Sequence, residues 1–391
     1  MSTLENPVKN EMASPTAPPL LEINDLKVVF QTYAGQVKAL DGINLTLYKG
    51  ETVGLVGESG CGKSVTATTI VGLLSENAKV AEGQILLNKD DLLRMNRKEM
   101  REIRAKKVAM VFQDPATFLN PVLTIGQQIG EVFQLDSARI ERTALGVRMD
   151  ELKSKVKGAT NPNEREQAQA QLDELTKSSG SPPKADRRTK KIAVNALVKD
   201  ALLKARLPDP DRIMREYPHE LSGGMKQRCM IAMAIARNPE LLIADEITTA
   251  LDVTIQAQIL ELLRLLKEEV QSTILIITHD LGIVAETCDR VAVMYAGNVI
   301  EVTSVKELFR KPLHPYTQGL LKAIPKFAAG RERLESIPGS VPDLIYPPTG
   351  CRFHPRCSYA WDLCQKVKPE LYEAEKGHTV ACHLYTKEGK K

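Results

Sequence analysis

The sequence is poor in aromatic residues and carries almost no net charge. Phe, Trp and Tyr make up 4% of its 391 residues, and 53 basic residues nearly balance 49 acidic ones, for a formal charge of +4. Proteins that bind nucleic acid usually show a basic surplus, and those that bind single strands add stacking aromatics. We therefore expect no nucleic acid among the partners of this chain.

Long apolar runs are also missing. No stretch approaches the roughly 20 apolar residues that a membrane-spanning helix needs. Residues 1–19 contain prolines and acidic residues but no apolar core, so they predict a disordered leader and not a signal peptide. With 43% hydrophobic residues, the remainder is expected to form a few compact units of an intracellular protein.

A glycine-rich stretch reads G-E-S-G-C-G-K-S from Gly57 to Ser64. It follows the apolar run Thr52–Val56 and precedes a helix-like run, which is the context of a phosphate-binding loop. We expect Lys63 to reach the β- and γ-phosphates of a nucleotide and Ser64 to bind Mg²⁺. The alternative is a glycine-rich turn without a ligand. The predicted nucleotide-binding residues here are Gly57, Ser59, Gly60, Cys61, Gly62, Lys63, Ser64 and Val65.

An aromatic side chain near the loop would stack on an adenine ring. Tyr33 is the best placed in the sequence, with Phe30 as the second choice. The alternative for either residue is an ordinary turn or core aromatic.

Two carboxylates, Asp245 and Glu246, follow the buried strand pattern Leu241–Ala244. Asp245 suits Mg²⁺, usually through water, and Glu246 suits a base that polarises water for attack on the γ-phosphate. Plain surface capping of a strand end is the alternative.

Two further polar residues end buried strand patterns. Gln113 follows Val108–Phe112 and is predicted to reach the metal ion or the attacking water. His279 follows Thr273–Thr278 and is predicted to contact the γ-phosphate, although a lone histidine is more often structural. Buried strands alternating with helices around a phosphate loop predict a layered α/β domain with ligand sites at strand ends.

A second anion site is predicted at Ser222-Gly223-Gly224. Ser222 is a good N-cap, and the two glycines expose the backbone at the start of a helix from about Met225 to Arg237.

The stretch Asp136–Lys191 is rich in charged residues and glutamine, with Glu164–Lys177 made of strong helix formers and Ser178–Pro183 as a break. A solvated helical insertion is the simpler interpretation, and a partner-binding arm is the alternative.

Four of the seven cysteines lie near the end of the chain, spaced Cys351-x₅-Cys357-x₆-Cys364-x₁₇-Cys382. In the cytosol such a group favours a metal site over disulfides. The paired knuckles of structural zinc are missing. Loosely spaced thiolates suit an iron–sulfur cluster. Zinc, or no metal at all, stays open, with His354 and His383 as substitute ligands.

Together these motifs resemble an ATPase subunit of an ABC transporter. The signature is Leu221–Gln227, with Gln113 as the Q-loop, Ala250-Leu251-Asp252 as the D-loop and His279 as the switch histidine. Glu58-Ser59-Gly60, the stretch Leu313–Leu320 and the segment Ile337–Cys357 resemble the oligopeptide/dipeptide importer subgroup.

The resemblance implies an α/β, P-loop NTPase fold of ABC type. It comprises a RecA-like core with an antiparallel β subdomain and a helical subdomain, followed by a small Cys-rich C-terminal extension. We expect the nucleotide-binding domain at 20–310, its helical subdomain at about 124–225 with the insertion at about 136–191, and the extension at 311–391.

The resemblance also implies how the chain works. ATP and Mg²⁺ would lie between the loop of one subunit and the signature of a second, homologous ATPase subunit in a head-to-tail dimer, with Asp252 among the contacts. The expected partners are two transmembrane permeases and an extracytoplasmic peptide-binding protein, with the chain at the cytoplasmic face of the membrane. Similar subgroup members carry a 4Fe-4S cluster in the cysteine region.

One residue departs from the subgroup pattern. Ile247 stands where a proline normally follows the catalytic glutamate. Because proline fixes φ, we expect a looser turn at Glu246 and an altered turnover.

Other functions of related ATPases predict features that can be compared with these motifs. Transport of another solute, such as nickel, uses similar ATPases. An SMC-type ATPase acting on DNA would need a long coiled coil, which the short insertion lacks. A translation factor of the ABC class would carry two cassettes, and a non-hydrolysing regulatory module conflicts with the intact Lys63, Asp245, Glu246 and His279.

Overall fold

The computed structural model describes residues 18–177, 185–249, 252–324 and 337–386. Nearly all of the predicted leader, the Ser178–Pro183 break and the pair Ala250-Leu251 lie outside these ranges. The chain divides into two compact units. The first extends to Gln113 and includes Glu240–Thr249 and everything from Leu263 on; the second comprises Asp114–Pro239 and Ala250–Leu262.

Strands and helices alternate along most of the chain. The strands are β1 Pro19–Thr32, β2 Gly35–Tyr48, β3 Thr52–Val56, β4 Ala78–Leu87, β5 Asp90–Asp91, β6 Val108–Val111, β7 Leu241–Asp245, β8 Thr273–Thr278, β9 Arg290–Tyr295, β10 Asn298–Ser304, β11 Tyr372–Glu375 and β12 His378–Val380. The helices are α1 Lys63–Ile70, α2 Arg97–Lys106, α3 Pro115–Phe118, α4 Ile125–Gln134, α5 Ser137–Gly158, α6 Pro162–Lys177, α7 Arg187–Lys204, α8 Pro210–Ile213, α9 Gly223–Ile235, α10 Val253–Val270, α11 Leu281–Thr287, α12 Val305–Arg310, α13 Pro315–Lys322 and α14 Asp362–Lys366.

The first unit contains two sheets. The smaller sheet has the order β2-β1-β4-β5 and is antiparallel. The larger has the order β11-β12-β10-β9-β3-β8-β7-β6, with parallel pairing from β9 through β6. β2 alternates as a half-buried strand does, since Ile43, Leu45 and Leu47 are buried while Asn44 is exposed. β3, β7 and β8 are buried along their whole length, as expected of central parallel strands.

The order of the larger sheet positions the site. Parallel neighbours end at the same sheet edge, so the residues after β3, β8, β7 and β6 come together there. The phosphate loop follows β3, His279 follows β8, and Asp245 and Glu246 close β7.

The C-terminal segment, of which residues 311–324 and 337–386 are described, belongs to the first unit and extends its larger sheet. β12 pairs antiparallel with β10 and β11 pairs with β12. Through this pairing β12 covers a strand that would otherwise form the sheet edge.

The second unit is helical in the residues described. Within the predicted insertion, α5 and α6 form a helical pair with its own small apolar core, in which Leu152, Ala168 and Leu175 are buried. The helix predicted from Met225 is present and begins two residues earlier, at Gly223.

Candidate active site

The phosphate loop is shaped by glycines that no other residue could replace without strain. Gly62 has φ +106 and precedes α1, and a Cβ there would lie 2.6 Å from Leu40 Cδ2. A Cβ on Gly57 would lie 2.2 Å from the carbonyl oxygen of Met294. The loop therefore packs tightly against its own sheet on one side and leaves its other side open.

Lys63 and its neighbours face a cleft. The Lys63 ammonium is buried and donates to the carbonyl oxygens of Gly57 at 2.8 Å and Glu58 at 3.2 Å. The cleft has a volume of about 500 Å³, within the usual range for small-molecule sites. Its lining includes Ser59, Gly60, Gly62, Lys63, Ser64, Val65, Gln113 and Glu246.

Two predicted loop residues do not line the cleft. Cys61 is 1% exposed, and burial raises the pKa of its thiol. Gly57 lies against the backbone of Met294. Cys61 and Gly57 therefore contribute to the packing of the loop and not to the lining of the cleft.

Ser64 and Asp245 meet across the end of the sheet. The Ser64 hydroxyl donates to Asp245 Oδ1 at 3.1 Å. Burial raises the pKa of Asp245, while the Ser64 hydrogen bond opposes that rise. A hydroxyl and one carboxylate fit Mg²⁺, which takes one or two protein carboxylates and completes its shell with water and phosphate oxygens.

Glu246 is the centre of a small polar cluster. Its Oε2 accepts from Gln113 Nε2 at 2.9 Å, and its Oε1 lies 3.5 Å from His279 Nδ1. The three residues predicted for catalysis therefore come together in one place.

The backbone at Glu246 is left-handed, with φ +47. Such a conformation costs a non-glycine residue about 1 kcal/mol, and the Glu246 N–H offsets part of it by donating to Ile277 at 2.9 Å. Ile247, where the subgroup has proline, is buried in the structure. The looser turn expected from this substitution stays a prediction.

Of the two aromatic residues predicted for adenine stacking, Phe30 lines the cleft and Tyr33 does not. Tyr33 is fully exposed in the β1–β2 turn. Val37 and Ala39 also line it. The i, i+2 spacing of Val37 and Ala39 along β2 is the sequence pattern that predicts their shared face.

The residues of the predicted second anion site lie at the N-terminus of α9, in the second unit. Ser222 caps α9 by accepting from the Met225 N–H at 3.4 Å. Nothing lies within 4 Å of a Cβ placed on Gly223, but one on Gly224 would lie 2.8 Å from Ile255 Cγ2. Asp252 accepts from the Ile255 N–H at 2.9 Å, at the start of α10.

The four C-terminal cysteines come together in the fold. Cys351, Cys357, Cys364 and Cys382 line one small cavity of about 10 Å³, with His354 and His383. Burial raises the pKa of Cys351 to about 11 and that of Cys382 to about 12. Within the described ranges, no three His, Cys, Asp or Glu side chains are placed to hold a metal ion. The described side chains, in their present arrangement, therefore do not support the predicted metal centre.

None of the described helices combines the length and the hydropathy of a membrane span.

The amino-acid sequence matches two protein-family profiles. The profile described as ABC transporter matches residues 40–249, more than half of the chain. The chain belongs to the ABC transporter family. A second profile, described as the oligopeptide/dipeptide transporter C-terminal region, matches residues 300–364.

Relatives of known name match nearly the whole chain. The dipeptide transport ATP-binding protein DppD of Bacillus subtilis is 42% identical over 93% of this chain and 94% of its own length. The oligopeptide transport ATP-binding protein AppD of the same organism is 43% identical over 95% and 98%. This chain is thus an ABC ATPase homologous to peptide-transport subunits.

A solved structure supports the fold. The dimeric post-hydrolysis state of the ATP-binding cassette MJ0796, bound to ADP and Pi, superposes with a TM-score of 0.51 at 26% identity. The match covers 73% of this chain and 98% of that one. The predicted ABC-type α/β fold is confirmed.

Proposed function

We propose that this chain is the ATP-hydrolysing subunit of a membrane importer for peptides. The observation that carries the proposal is one cleft lined by Lys63, Ser64, Gln113 and Glu246. Asp245 is hydrogen-bonded to Ser64, and His279 lies beside Glu246. Peptide as cargo follows from relatives whose names specify dipeptide and oligopeptide transport.

Each residue has a proposed role in hydrolysis. Lys63 and the loop N–H groups bind the β- and γ-phosphates, and Ser64, Gln113 and Asp245 hold Mg²⁺, which neutralises phosphate charge. Glu246 orients and deprotonates the attacking water, and His279 contacts the γ-phosphate. Phe30, which lines the cleft, stacks on the adenine in place of the exposed Tyr33.

The signature residues are proposed to act on a second chain. Ser222, Gly223, Gly224 and Asp252 would close over ATP bound to the loop of a homologous ATPase subunit, in a head-to-tail heterodimer. The related cassette MJ0796 is dimeric in its ADP and Pi state, which supports such an assembly. ATP would then close the dimer and hydrolysis would release it, which moves the permeases between two states.

The remaining partners and the domain limits are part of the same proposal. The chain is proposed to sit at the cytoplasmic face of the membrane on two permease subunits, with an extracytoplasmic peptide-binding protein. Residues 20–310 form the nucleotide-binding domain and 311–391 the extension.

The experiment is purification of the complex from detergent-solubilised membranes, followed by ATP-driven uptake of labelled dipeptide in vesicles. Glu246→Gln is expected to retain ATP, lock the ATPase pair together and abolish uptake. Glu286→Gln, the same charge change on an exposed residue, is the matched control. Absence of any ATP-dependent pairing would reject the heterodimer, and uptake of nickel in place of peptide would reject the cargo.

We also propose that the thiols of Cys351, Cys357, Cys364 and Cys382 hold a 4Fe-4S cluster after local rearrangement. The support is their common cavity, since a cube binds one thiolate at each iron and tolerates varied ligand geometry. Metal binding would require loss of the thiol protons that burial now retains. We expect the purified protein to be brown, to absorb at about 400 nm and to contain four irons per chain. Stoichiometric zinc, or colourless metal-free protein after anaerobic purification, would reject it.

A further inference from the structure

The C-terminal segment contacts the phosphate loop through an ion pair between Arg356 and Glu58. Arg356 donates from Nη1 to Glu58 Oε2 at 2.8 Å and from Nη2 to Glu58 Oε1 at 3.1 Å. The Arg356 side chain is 6% exposed and that of Glu58 is 29% exposed. A two-pronged pair between a guanidinium and a carboxylate fixes direction as well as distance.

Two further contacts hold the Arg356 side chain in place. Its Nε donates to the Pro338 carbonyl oxygen at 2.8 Å, and its guanidinium lies 5.7 Å from the centre of the Tyr295 ring. The charged end therefore cannot swing away without losing these contacts, and Glu58 meets a fixed partner.

Glu58 is held by its backbone too. Its N–H donates to the Tyr316 hydroxyl at 2.9 Å, and its carbonyl oxygen accepts from Lys63 Nζ at 3.2 Å. Because Tyr316 is fully buried, its hydroxyl is a rigid acceptor. Residue 58 thus links the C-terminal segment directly to the lysine predicted to reach the phosphates.

We propose that Arg356 is a positioning residue for nucleotide binding, which acts through Glu58 on the phosphate loop. This inference rests on the proposed function, namely that the loop binds ATP. The Arg356 guanidinium fixes the Glu58 carboxylate, and the Tyr316 hydroxyl fixes the Glu58 N–H. Together these contacts set the direction of the loop N–H groups and of Lys63. Loop amides serve an anion only when they converge on it.

The test compares Arg356→Lys, Glu58→Gln and the double variant with the wild-type full-length chain. Arg356→Lys keeps the charge but loses the two-pronged geometry. We expect the Kd for a fluorescent ATP analogue and the KM for ATP to rise about tenfold, the order of one charge-assisted hydrogen bond, with kcat changed less than threefold. The double variant should be no worse than either single variant, because both break the same contact.

Arg352→Lys is the matched control. Arg352 lies in the same segment, is equally buried and pairs with Asp41 at 3.2 Å, but donates to the Ala296 carbonyl and does not touch the loop. Melting temperatures of all variants show whether each one folds. Arg352→Lys should lower the melting temperature without moving KM.

Two outcomes would overturn the inference: an unchanged Kd in both single variants, or a KM increase in Arg352→Lys equal to that in Arg356→Lys. If Arg356→Lys fails to fold, Glu58→Gln decides alone, since it keeps the shape of the side chain. Wild-type protein that binds no ATP would overturn the proposed function together with this inference.

Discussion

The Ser64 hydroxyl donates to Asp245 Oδ1 at 3.1 Å, although 181 residues separate them in the chain. These are two of the residues that would hold Mg²⁺ in the proposed function. Asp245→Asn keeps the shape but removes the charge that binds the ion. We expect Mg²⁺-dependent ATP hydrolysis to fall by about 100-fold or more, measured as phosphate release across a Mg²⁺ titration.

Asp90→Asn is the control for that change, because Asp90 is exposed and pairs only with Lys107 at 3.4 Å among the contacts described. A rate in Asp245→Asn within threefold of wild type at saturating Mg²⁺ would contradict the assignment.

Gln113 offers a test of Glu246 as the base. Gln113→Glu would place a second carboxylate near the 2.9 Å contact with Glu246 Oε2. The two like charges repel, so the Glu246 side chain should leave its present position and kcat for ATP hydrolysis should fall by about 100-fold. Gln113→Ala removes the contact without adding charge and should lower kcat less. A kcat in Gln113→Glu within threefold of wild type, measured as phosphate release, would argue that Glu246 is not the base.

Gly224 offers a test of packing in the second unit. An alanine Cβ there meets Ile255 Cγ2 at 2.8 Å, whereas one at Gly223 meets nothing within 4 Å. Gly224→Ala should therefore destabilise the protein by about 1–3 kcal/mol, and Gly223→Ala by less than about 0.5 kcal/mol, in urea unfolding. Combining Gly224→Ala with Ile255→Ala should recover part of the loss. Equal stability of the two glycine variants would contradict the contact.

His314 makes stability depend on pH. Burial lowers the pKa of this side chain to about 4, and its Nδ1 accepts from the Tyr316 N–H at 3.0 Å. Because the unfolded histidine takes up a proton near pH 6.5 and the folded one does not, stability should fall as pH drops from about 6.5 to about 4, by up to about 3 kcal/mol. Above pH 6.5 this contribution is constant.

His314→Asn keeps a side-chain acceptor at the start of α13 and removes the titration. Its unfolding free energy should show a shallower slope between pH 6.5 and 4 than wild type. His219→Asn, at an exposed histidine, should leave the slope unchanged. Parallel slopes in wild type and His314→Asn would refute the assignment.

The sequence by itself determined the catalytic parts whose chemistry is local. The glycines, Lys63 and Ser64 form one short loop, and the buried pattern before Asp245 and Glu246 fixes a strand that ends at those carboxylates. Since parallel strands deliver their C-terminal ends to one sheet edge, local patterns sufficed to bring Gln113, Glu246 and His279 together.

Only the tertiary structure decided the contacts between distant segments. Strand periodicity does not reveal that Arg356 meets Glu58 across 298 residues, or that Phe30 lines the cleft while Tyr33 points to solvent from a turn. Cysteine spacing likewise does not reveal that the four C-terminal thiols line one small cavity. Such outcomes depend on how whole segments pack, and that packing is not encoded in any single stretch of sequence.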